Sequence, residues 1–243
     1  MAAYWMQEHG DPSFFPCVCD DFPRTAAAQA MLEATSYRPF AGNPFGHVDA
    51  APFGGGPGMV LRPDVLRDAL ASLPRRGTGR VIHFSPAAPP LDHAKVLELA
   101  ALDQLILVCT RFEGLDQRAV RLCVDEELSV GDAVLSGGEL PALFLIDAVC
   151  RWLPGVLGNE ASAAADSFAT GLLDHPHYTR PAEFAGLRTP EVLLNGDHSQ
   201  IRRWRREQQL RKTLANRPDL LANAALSKED RKMLQMIREE RPI

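Results

Sequence analysis

Short apolar segments that alternate with helical stretches, between residues 80 and 153, constrain the fold of this chain most. Residues 81–84 and 105–109 have the length and composition of buried strands, and residues 91–101 between them have helical spacing. A glycine-rich stretch follows at residues 130–138. Strands that alternate with helices predict βα units around a mainly parallel sheet, and therefore an α/β fold.

The segments that follow predict a second domain. Residues 140–153 are apolar on nearly all sides, with Pro141 tolerated in the first turn, which is typical of a helix in a core or an oligomer interface. Residues 159–171 are small and polar around Phe168 and predict a linker or mobile loop. Residues 191–223 and 228–240 are rich in Leu, Arg, Gln and Glu and predict a small helical domain.

The first forty residues carry the weakest pattern. Asp11, Pro12, Pro16 and Pro23 interrupt any regular element there, and residues 25–34 could form one short helix.

Length and composition restrict the class of protein. A chain of 243 residues with 46% apolar residues can bury an ordinary core. No stretch approaches the roughly eighteen consecutive apolar residues of a membrane span, and no basic residue precedes Glu8 and Asp11. We expect a cytoplasmic protein without a membrane segment.

Charge is unevenly distributed along the chain. The net charge of -5 argues against a nucleic-acid protein unless positive charge is concentrated locally. Residues 201–217 carry a net +6, because seven basic residues face a single acid, Glu207. The seven are Arg202, Arg203, Arg205, Arg206, Arg211, Lys212 and Arg217. This segment is a candidate phosphate-binding surface.

The cysteines indicate neither a disulfide framework nor a metal site. There are five, at positions 17, 19, 109, 123 and 150, and none forms a CxxC pair. Cys17 and Cys19 are close in sequence, but a CxC pair without further ligands is more typical of ordinary thiols than of zinc. No metal ligands are predicted.

The glycine run GGGPG at residues 54–58 matches no nucleotide-binding fingerprint. Met59 stands where GxGxxG requires its third glycine, and no Gly-Lys-Ser/Thr follows. Taken alone, the run predicts a tight turn. A Rossmann-type methyltransferase or dehydrogenase is therefore disfavoured.

Several long segments, taken in order, carry a family resemblance. They are HVDAAPFGGGPGMVLRP, LILVCTRFEGLDQR, ELSVGDAVLSGGELPALFLIDAVCRWLPGVLGNE, ADSFATGLLDHPHYTRP and PEVLLNGDHSQIRRWRREQQLRKTLANRPDLL. From about residue 37 to residue 221 the chain closely resembles the bacterial tRNA (guanine-37) methyltransferases. The resemblance implies methyl transfer from S-adenosylmethionine to N1 of the guanine at tRNA position 37, next to the anticodon, by a homodimer.

The resemblance also implies the domain plan. It is a SPOUT-type parallel sheet with a deep C-terminal trefoil knot, followed by a small all-helical domain; such knots are rare. Residues 1–158 would form the knotted catalytic domain, residues 159–173 a mobile interdomain loop and residues 174–243 the tRNA-binding domain. The knot loops would be residues 84–86, 109–114 and 130–141.

By the same resemblance, the knot loops hold the cofactor. Gly131, Gly137 and Gly138 can let main-chain groups approach an adenine edge, although turn geometry without a ligand is the alternative. The implied cofactor-binding residues are Ser85, Pro86, Thr110, Glu113, Gly114, Val130, Gly131, Asp132, Ala133, Val134, Leu135, Gly137, Gly138 and Pro141. A divalent ion such as magnesium could assist, but the residues do not identify one.

Two residues are implied in catalysis. Guanine N1 carries a proton at neutral pH, so methyl transfer needs a general base, worth about a hundred- to ten-thousand-fold. The resemblance assigns this role to Asp166, which by itself would be interpreted as a solvated charge. It assigns to Arg151, an unusual residue in an apolar setting, the stabilisation of negative charge on the guanine carbonyl oxygen.

Other polar residues are implied in substrate binding. Arg111 and Glu113 would hold the target base, and Asp174 and His177 would contact the tRNA or support the closed loop, with local salt bridges as the alternative. Arg202, Arg203 and Arg206 would position the tRNA through its phosphates, with the target base flipped out of its stack.

The chain departs from the family pattern on the cofactor side. Thr110 replaces a usual glycine and Ala133 a usual tyrosine, Ala50 replaces an acid, and residues 87–89 replace a segment that usually contains glycine. The first family strand survives only as residues 13–16. Two hypotheses follow: a working methyltransferase with an altered cofactor pocket, or a degenerate relative that binds tRNA with weak or no cofactor-dependent activity.

Overall fold

A computed structural model describes residues 2–7, 31–157 and 161–240 of the chain. The chain divides into two compact units, Met1–Gly158 and Asn159–Ile243. Among the described residues, no helix has both the length and the apolar character that crossing a membrane requires.

The first unit is built on a parallel sheet. Its described strands are β1 (Ala2–Gln7), β2 (Met31–Ser36), β3 (Asp49–Ala50), β4 (Val60–Leu61), β5 (Gly79–Phe84), β6 (Gln104–Val108) and β7 (Glu126–Leu128). Five of them form the sheet in the order β2-β1-β6-β5-β7, and every neighbouring pair is parallel. The short strands β3 and β4 form a separate antiparallel pair. The predicted α/β fold with a parallel sheet is confirmed.

Four helices accompany these strands: α1 (Pro63–Ser72), α2 (His93–Ala100), α3 (Gln117–Cys123) and α4 (Glu139–Cys150). The α2 helix begins where the Asp92 carboxylate accepts a hydrogen bond from the Lys95 amide, which satisfies a helix-terminal N–H. The α4 helix matches the apolar segment predicted from sequence, although Leu140 and Phe144 on it are more than half exposed.

Successive residues of β5 and β6 belong to different cores, as the two-residue period of a strand requires. Val81, Ile106 and Val108 pack with α1, while Ile82 and Leu107 pack with α2 and α4. Apolar layers therefore cover both faces of the sheet, which is why its central strands are almost continuously apolar.

The structure corrects the sequence interpretation of the N-terminal region. The pattern of residues 25–34 permits one short helix, but Met31–Ser36 is strand β2, paired along its length with β1, and residues 25–30 lie outside the described residues. Helix propensity is a weak preference that sheet pairing overrides here. The first sheet strand is Ala2–Gln7, whereas the expected strand at residues 13–16 lies outside the described residues.

The second unit contains α5 (Ala161–Ala165), β8 (Glu183–Phe184), β9 (Leu187–Arg188), α6 (His198–Asn216), α7 (Leu220–Asn223) and α8 (Lys228–Glu239). Its core is formed by Leu172, Leu210, Leu234 and Ile237.

Two expectations for the second unit need correction. It is not all-helical, because β8 and β9 form an antiparallel hairpin whose two turn residues, Ala185 and Gly186, have φ of 52° and 80°. Positive φ at both central positions is the geometry that matches a two-residue hairpin to strand twist. The segment 159–173 is not entirely a loop either, because it contains α5.

Candidate active site

A cavity lies at the edge of the sheet where three parallel strands end. Strands β5, β6 and β7 end at Phe84, Val108 and Leu128, so the loops that follow them meet at one edge, where open α/β sheets bind ligands. The cavity has a volume of about 490 Å³. It is lined by His83, Phe84, Ser85, Pro86, Thr110, Arg111, Phe112, Glu113, Gly114, Leu115, Gln117, Val120, Glu127, Leu128, Ser129, Val130, Gly131, Ala133, Val134, Leu135, Ser136, Gly137, Gly138 and Pro141.

The structure brings almost all of the proposed cofactor residues to this cavity. Every one of them lines it except Asp132, which is exposed. Arg111, expected to hold the target base, lines it too. Sequence reasoning did not identify His83, Phe112 or Glu127 as lining residues.

Main-chain hydrogen bonds tie the three loops together. The Ser85 amide donates to the Leu128 carbonyl at 3.1 Å, and the Leu91 amide donates to the Ser129 carbonyl at 2.7 Å. The Gly138 amide donates to the Thr110 carbonyl at 2.9 Å. The cavity wall is therefore a preformed surface rather than three independent loops.

Two glycines in this wall are required for different reasons. Gly131 has φ of +146°, a conformation that side chains rarely adopt. Gly138 has an ordinary φ, but a Cβ there would lie 2.8 Å from the Cα of Cys109 and 3.3 Å from the Thr110 amide nitrogen. Gly131 therefore leaves main-chain groups open to a ligand, whereas Gly138 is required by the packing of the wall on residues 109 and 110.

The glycine run at residues 54–58 packs against the RFEG loop. Gly58 has φ of +83°, and a Cβ there would lie 2.6 Å from Cγ of Glu113. The Glu113 amide donates to the Met59 carbonyl at 3.0 Å. Close packing on Glu113 thus explains this part of the run, beyond the tight turn expected from sequence.

The Arg111 guanidinium forms an ion pair inside the cavity wall. Its Nε donates to Glu139 Oε1 at 3.0 Å, and the Glu139 side chain is 14% exposed. The local salt bridge considered as an alternative for Arg111 therefore exists. It leaves the other guanidinium nitrogens for a ligand, because Arg has five N–H donors.

Three hydrogen-bonded side chains that line the cavity form a series, Glu127–His83–Thr110. His83 Nδ1 lies 2.9 Å from Glu127 Oε1, and Nε2 lies 3.1 Å from Thr110 Oγ1. Burial lowers the pKa of the His83 imidazole, although the hydrogen bond to Glu127 acts in the opposite direction. A histidine inside the apolar strand 81–84 was the one available sequence signal for this chain of residues.

The proposed catalytic residues lie in different units. Arg151 follows α4 in the first unit and is exposed, so the apolar setting inferred from sequence is incorrect for its side chain. Asp166 follows α5 in the second unit and is also exposed.

The segment that carries Asp166 is attached to the core of the second unit. The Asp174 amide donates to Ser167 Oγ at 2.9 Å, and the Leu173 amide donates to Thr213 Oγ1 on α6 at 2.9 Å. Leu172 is fully buried in that core. The C-terminal end of this segment is therefore held by the core of the second unit. The mobility expected for residues 159–173 stays a prediction.

Asp174 and two histidines form a compact polar group. His177 Nε2 lies 2.7 Å from Asp174 Oδ2, and His175 Nε2 lies 3.8 Å from Oδ1. Their candidate ligand atoms all lie within 4.8 Å of one another. Two imidazoles suit zinc-like ions better than magnesium, which prefers oxygen ligands. The local pairing considered for Asp174 and His177 is present.

The basic helix α6 carries less free charge than its sequence implies. Arg206 donates to both carboxylate oxygens of Asp230 on α8 at 2.8 and 2.9 Å, and this guanidinium lowers the pKa of Asp230 to about 2. Arg211 pairs with Glu207 and Glu240. Arg206 therefore joins two helices, which argues against its predicted role in tRNA binding, while Arg202 and Arg203 are exposed.

Comparison with known proteins places these features in a family. A family described as "tRNA (Guanine-1)-methyltransferase TrmD" matches residues 15–223. The chain is 54% identical over 236 residues to the tRNA (guanine-N(1)-)-methyltransferase of Dechloromonas aromatica (strain RCB), with 93% of each chain covered.

Two further relatives carry the same name. The protein of Neisseria meningitidis serogroup C (strain 053442) is 51% identical, covering 86% of this chain and 85% of the relative. That of Aromatoleum aromaticum is 50% identical, covering 89% and 86%. Matches of this extent show that the chain belongs to the bacterial tRNA (guanine-1)-methyltransferase family, TrmD.

Proposed function

We propose that this protein transfers a methyl group from S-adenosylmethionine to N1 of the guanine at tRNA position 37, next to the anticodon. The observation that carries the proposal is the glycine-lined cavity at the carboxyl edge of the parallel sheet, in a chain whose relatives are named tRNA (guanine-N(1)-)-methyltransferases. Those relatives give no support to a degenerate, inactive family member.

The cofactor-binding role belongs to the loops after β5, β6 and β7. Their main-chain groups, around Gly131, Gly137 and Gly138, would bind the adenosine half against a preformed wall. The cofactor, when bound, supplies a methyl group on a positively charged sulfur, so no protein nucleophile is required. The three hydrogen-bonded loops are also where we place the trefoil knot of the SPOUT fold.

Asp166 and Arg151 would then act on the guanine. Asp166 would accept the proton from N1, and Arg151 would donate hydrogen bonds to the carbonyl oxygen on which negative charge develops. Both side chains are exposed, as groups that meet a large substrate must be. Arg111 and Glu113 line the cavity and would hold the base.

We assign tRNA binding to residues 174–243, cofactor binding and Arg151 to residues 1–158, and the general base Asp166 to the connecting residues 159–173. The exposed Arg202 and Arg203 on α6 would contact phosphates, and the Asp174–His177 pair would contact the tRNA close to Asp166. Because tRNA is the substrate, we place the protein in the cytoplasm.

A homodimer fits the exposed apolar residues of α4. Leu140 is 61% exposed and Phe144 is 56% exposed, on a helix whose other apolar residues are buried or half-buried. Large apolar side chains exposed on one helix mark a surface that another copy of the chain can cover.

The proposed activity is tested with purified protein and two tRNA transcripts that differ only in guanine or adenine at position 37. We expect S-adenosylmethionine to bind in calorimetric titration and methyl transfer to occur with the guanine transcript alone. Nuclease digestion and mass spectrometry of the product would identify 1-methylguanosine. Transfer to another nucleotide, or none from a folded protein that binds the cofactor, would contradict the proposal.

The basic surface of α6 has its own prediction. Replacing Arg202 and Arg203 together by alanine should weaken tRNA binding and lower the slope of log K against log salt by about 0.7 to 0.9 for each phosphate that the variant no longer binds. Filter binding between low and physiological salt measures the slope. Arg67→Ala, which removes an exposed arginine on α1 that pairs with Asp68, is the matched control. An unchanged slope in the double variant would remove α6 from the tRNA surface.

A further inference from the structure

The Glu127–His83–Thr110 chain contains a hydroxyl whose direction can be deduced. His83 is 5% exposed and Thr110 6% exposed, and all three residues line the cavity.

The donor and acceptor of both hydrogen bonds between Glu127, His83 and Thr110 can be assigned from what each group is able to donate. A carboxylate oxygen accepts hydrogen bonds, so we assign His83 Nδ1 as the donor across the 2.9 Å to Glu127 Oε1. Burial lowers the pKa of His83, which keeps the imidazole neutral at neutral pH and leaves a lone pair on Nε2. Thr110 must therefore donate its own proton to Nε2, across 3.1 Å.

A hydroxyl that has used its only proton presents only acceptor lone pairs. Thr110 Oγ1 lies among cavity-lining residues, and it is 3.8 Å from where a Cβ on Gly114 would lie. It therefore offers the cavity a fixed acceptor. A ligand gains a hydrogen bond there only by presenting a donor.

The position of Thr110 in the cavity wall indicates which part of the cofactor would lie beside it. Its carbonyl accepts the Gly138 amide at 2.9 Å, so it adjoins the glycine wall where the adenosine half is proposed to bind. An adenosine offers ribose hydroxyls and an exocyclic amine as donors.

We infer that Thr110 Oγ1 accepts a hydrogen bond from the adenosine half of S-adenosylmethionine, and that His83 and Glu127 are positioning residues that hold the hydroxyl in its accepting orientation. The inference rests on the proposed cofactor site.

The test compares wild type, Thr110→Val and Thr110→Ser. Valine matches threonine in shape but lacks the hydroxyl, whereas serine keeps it. Calorimetric titration with S-adenosylhomocysteine should show an approximately three- to tenfold weaker Kd for Thr110→Val, the range of one net hydrogen bond, and less than twofold for Thr110→Ser. Competition by 5′-methylthioadenosine, which lacks the amino-acid half, should weaken by the same factor in Thr110→Val.

A double-mutant cycle tests the positioning role of His83. In His83→Phe, the threonine loses its acceptor and its hydroxyl is no longer oriented. Adding Thr110→Val to His83→Phe should then change Kd by less than twofold, because residues that act through one hydrogen bond are not additive. Additive effects would show that His83 only supports the fold. Circular dichroism and thermal melting establish that each variant is folded.

The outcomes separate the inference from the proposed function. Wild-type protein that is folded but does not bind S-adenosylhomocysteine contradicts the cofactor site itself. Wild-type binding with an unchanged Kd in Thr110→Val overturns the hydrogen bond. Equal losses in the valine and serine variants assign the effect to shape, and an unchanged affinity for 5′-methylthioadenosine excludes the adenosine half; either result overturns the inference.

Discussion

Replacing Asp166 by alanine should lower kcat for methyl transfer at least about a hundredfold, because guanine N1 would then lose its proton to solvent without a positioned base. Affinity for S-adenosylhomocysteine should change by less than twofold, since Asp166 is not among the residues that line the cavity proposed for the cofactor. Single-turnover assays with saturating tRNA isolate the chemical step from tRNA binding.

The pH profile distinguishes a general base from a structural carboxylate. In Asp166→Asn, which keeps the shape of the side chain, the residual rate should rise with pH as the guanine itself ionises. Glu229→Ala, an exposed carboxylate in the first turn of α8, is the matched control and should change kcat by less than twofold. Near-normal turnover of Asp166→Ala would refute the base assignment.

Replacing Gly138 by alanine should weaken cofactor binding, because relieving roughly 1–3 kcal/mol of overpacking requires the loops that line the cavity to shift. The backbone angles of Gly138 are open to alanine, with φ of -76° and ψ of -4°, so the effect is one of space alone. The new Cβ would meet the Cα of Cys109 at 2.8 Å, and a backbone atom cannot move aside as a side chain can. Calorimetric titration with S-adenosylhomocysteine measures the loss.

Gly137→Ala is the matched comparison one residue earlier. A Cβ at Gly137 would also overlap a neighbour, but the atom is the carboxylate oxygen of Glu139, at the end of a flexible side chain. We expect a smaller loss of affinity than in Gly138→Ala. If the two variants bind the cofactor equally well, the close packing of Gly138 on Cys109 does not determine cofactor affinity.

Much of the sheet was predictable because it is encoded locally. The apolar runs around Val81 and Leu107 have strand length, and the capping residue Asp92 directly precedes α2. The family resemblance extended this to most of the chain, and the comparisons confirm it.

The errors arose where local preference and long-range pairing disagree. Residues 31–36 lie in a segment with weak helical character, yet they pair with β1, which no local pattern reveals. The hairpin at residues 183–188 depends on two positive φ values, one of them at Ala185, a residue that does not signal such a turn.

The site divides in the same way. The family resemblance of the sequence motifs identified the loops at residues 109–114 and 130–141. The motifs could not show that Arg206 pairs with Asp230, 24 positions away, or that Glu127 and Thr110 both reach His83.

The sequence by itself determined the class of fold, because apolar periodicity and helix caps act over a few residues, and its resemblance to a known family identified that family and the loops that surround the cavity. Only the tertiary structure decided which charges are already paired, which glycines have no room for a side chain and which side chains the buried His83 contacts. These features depend on contacts between residues that are distant in sequence, because burial and hydrogen bonding there determine which partner each polar group has.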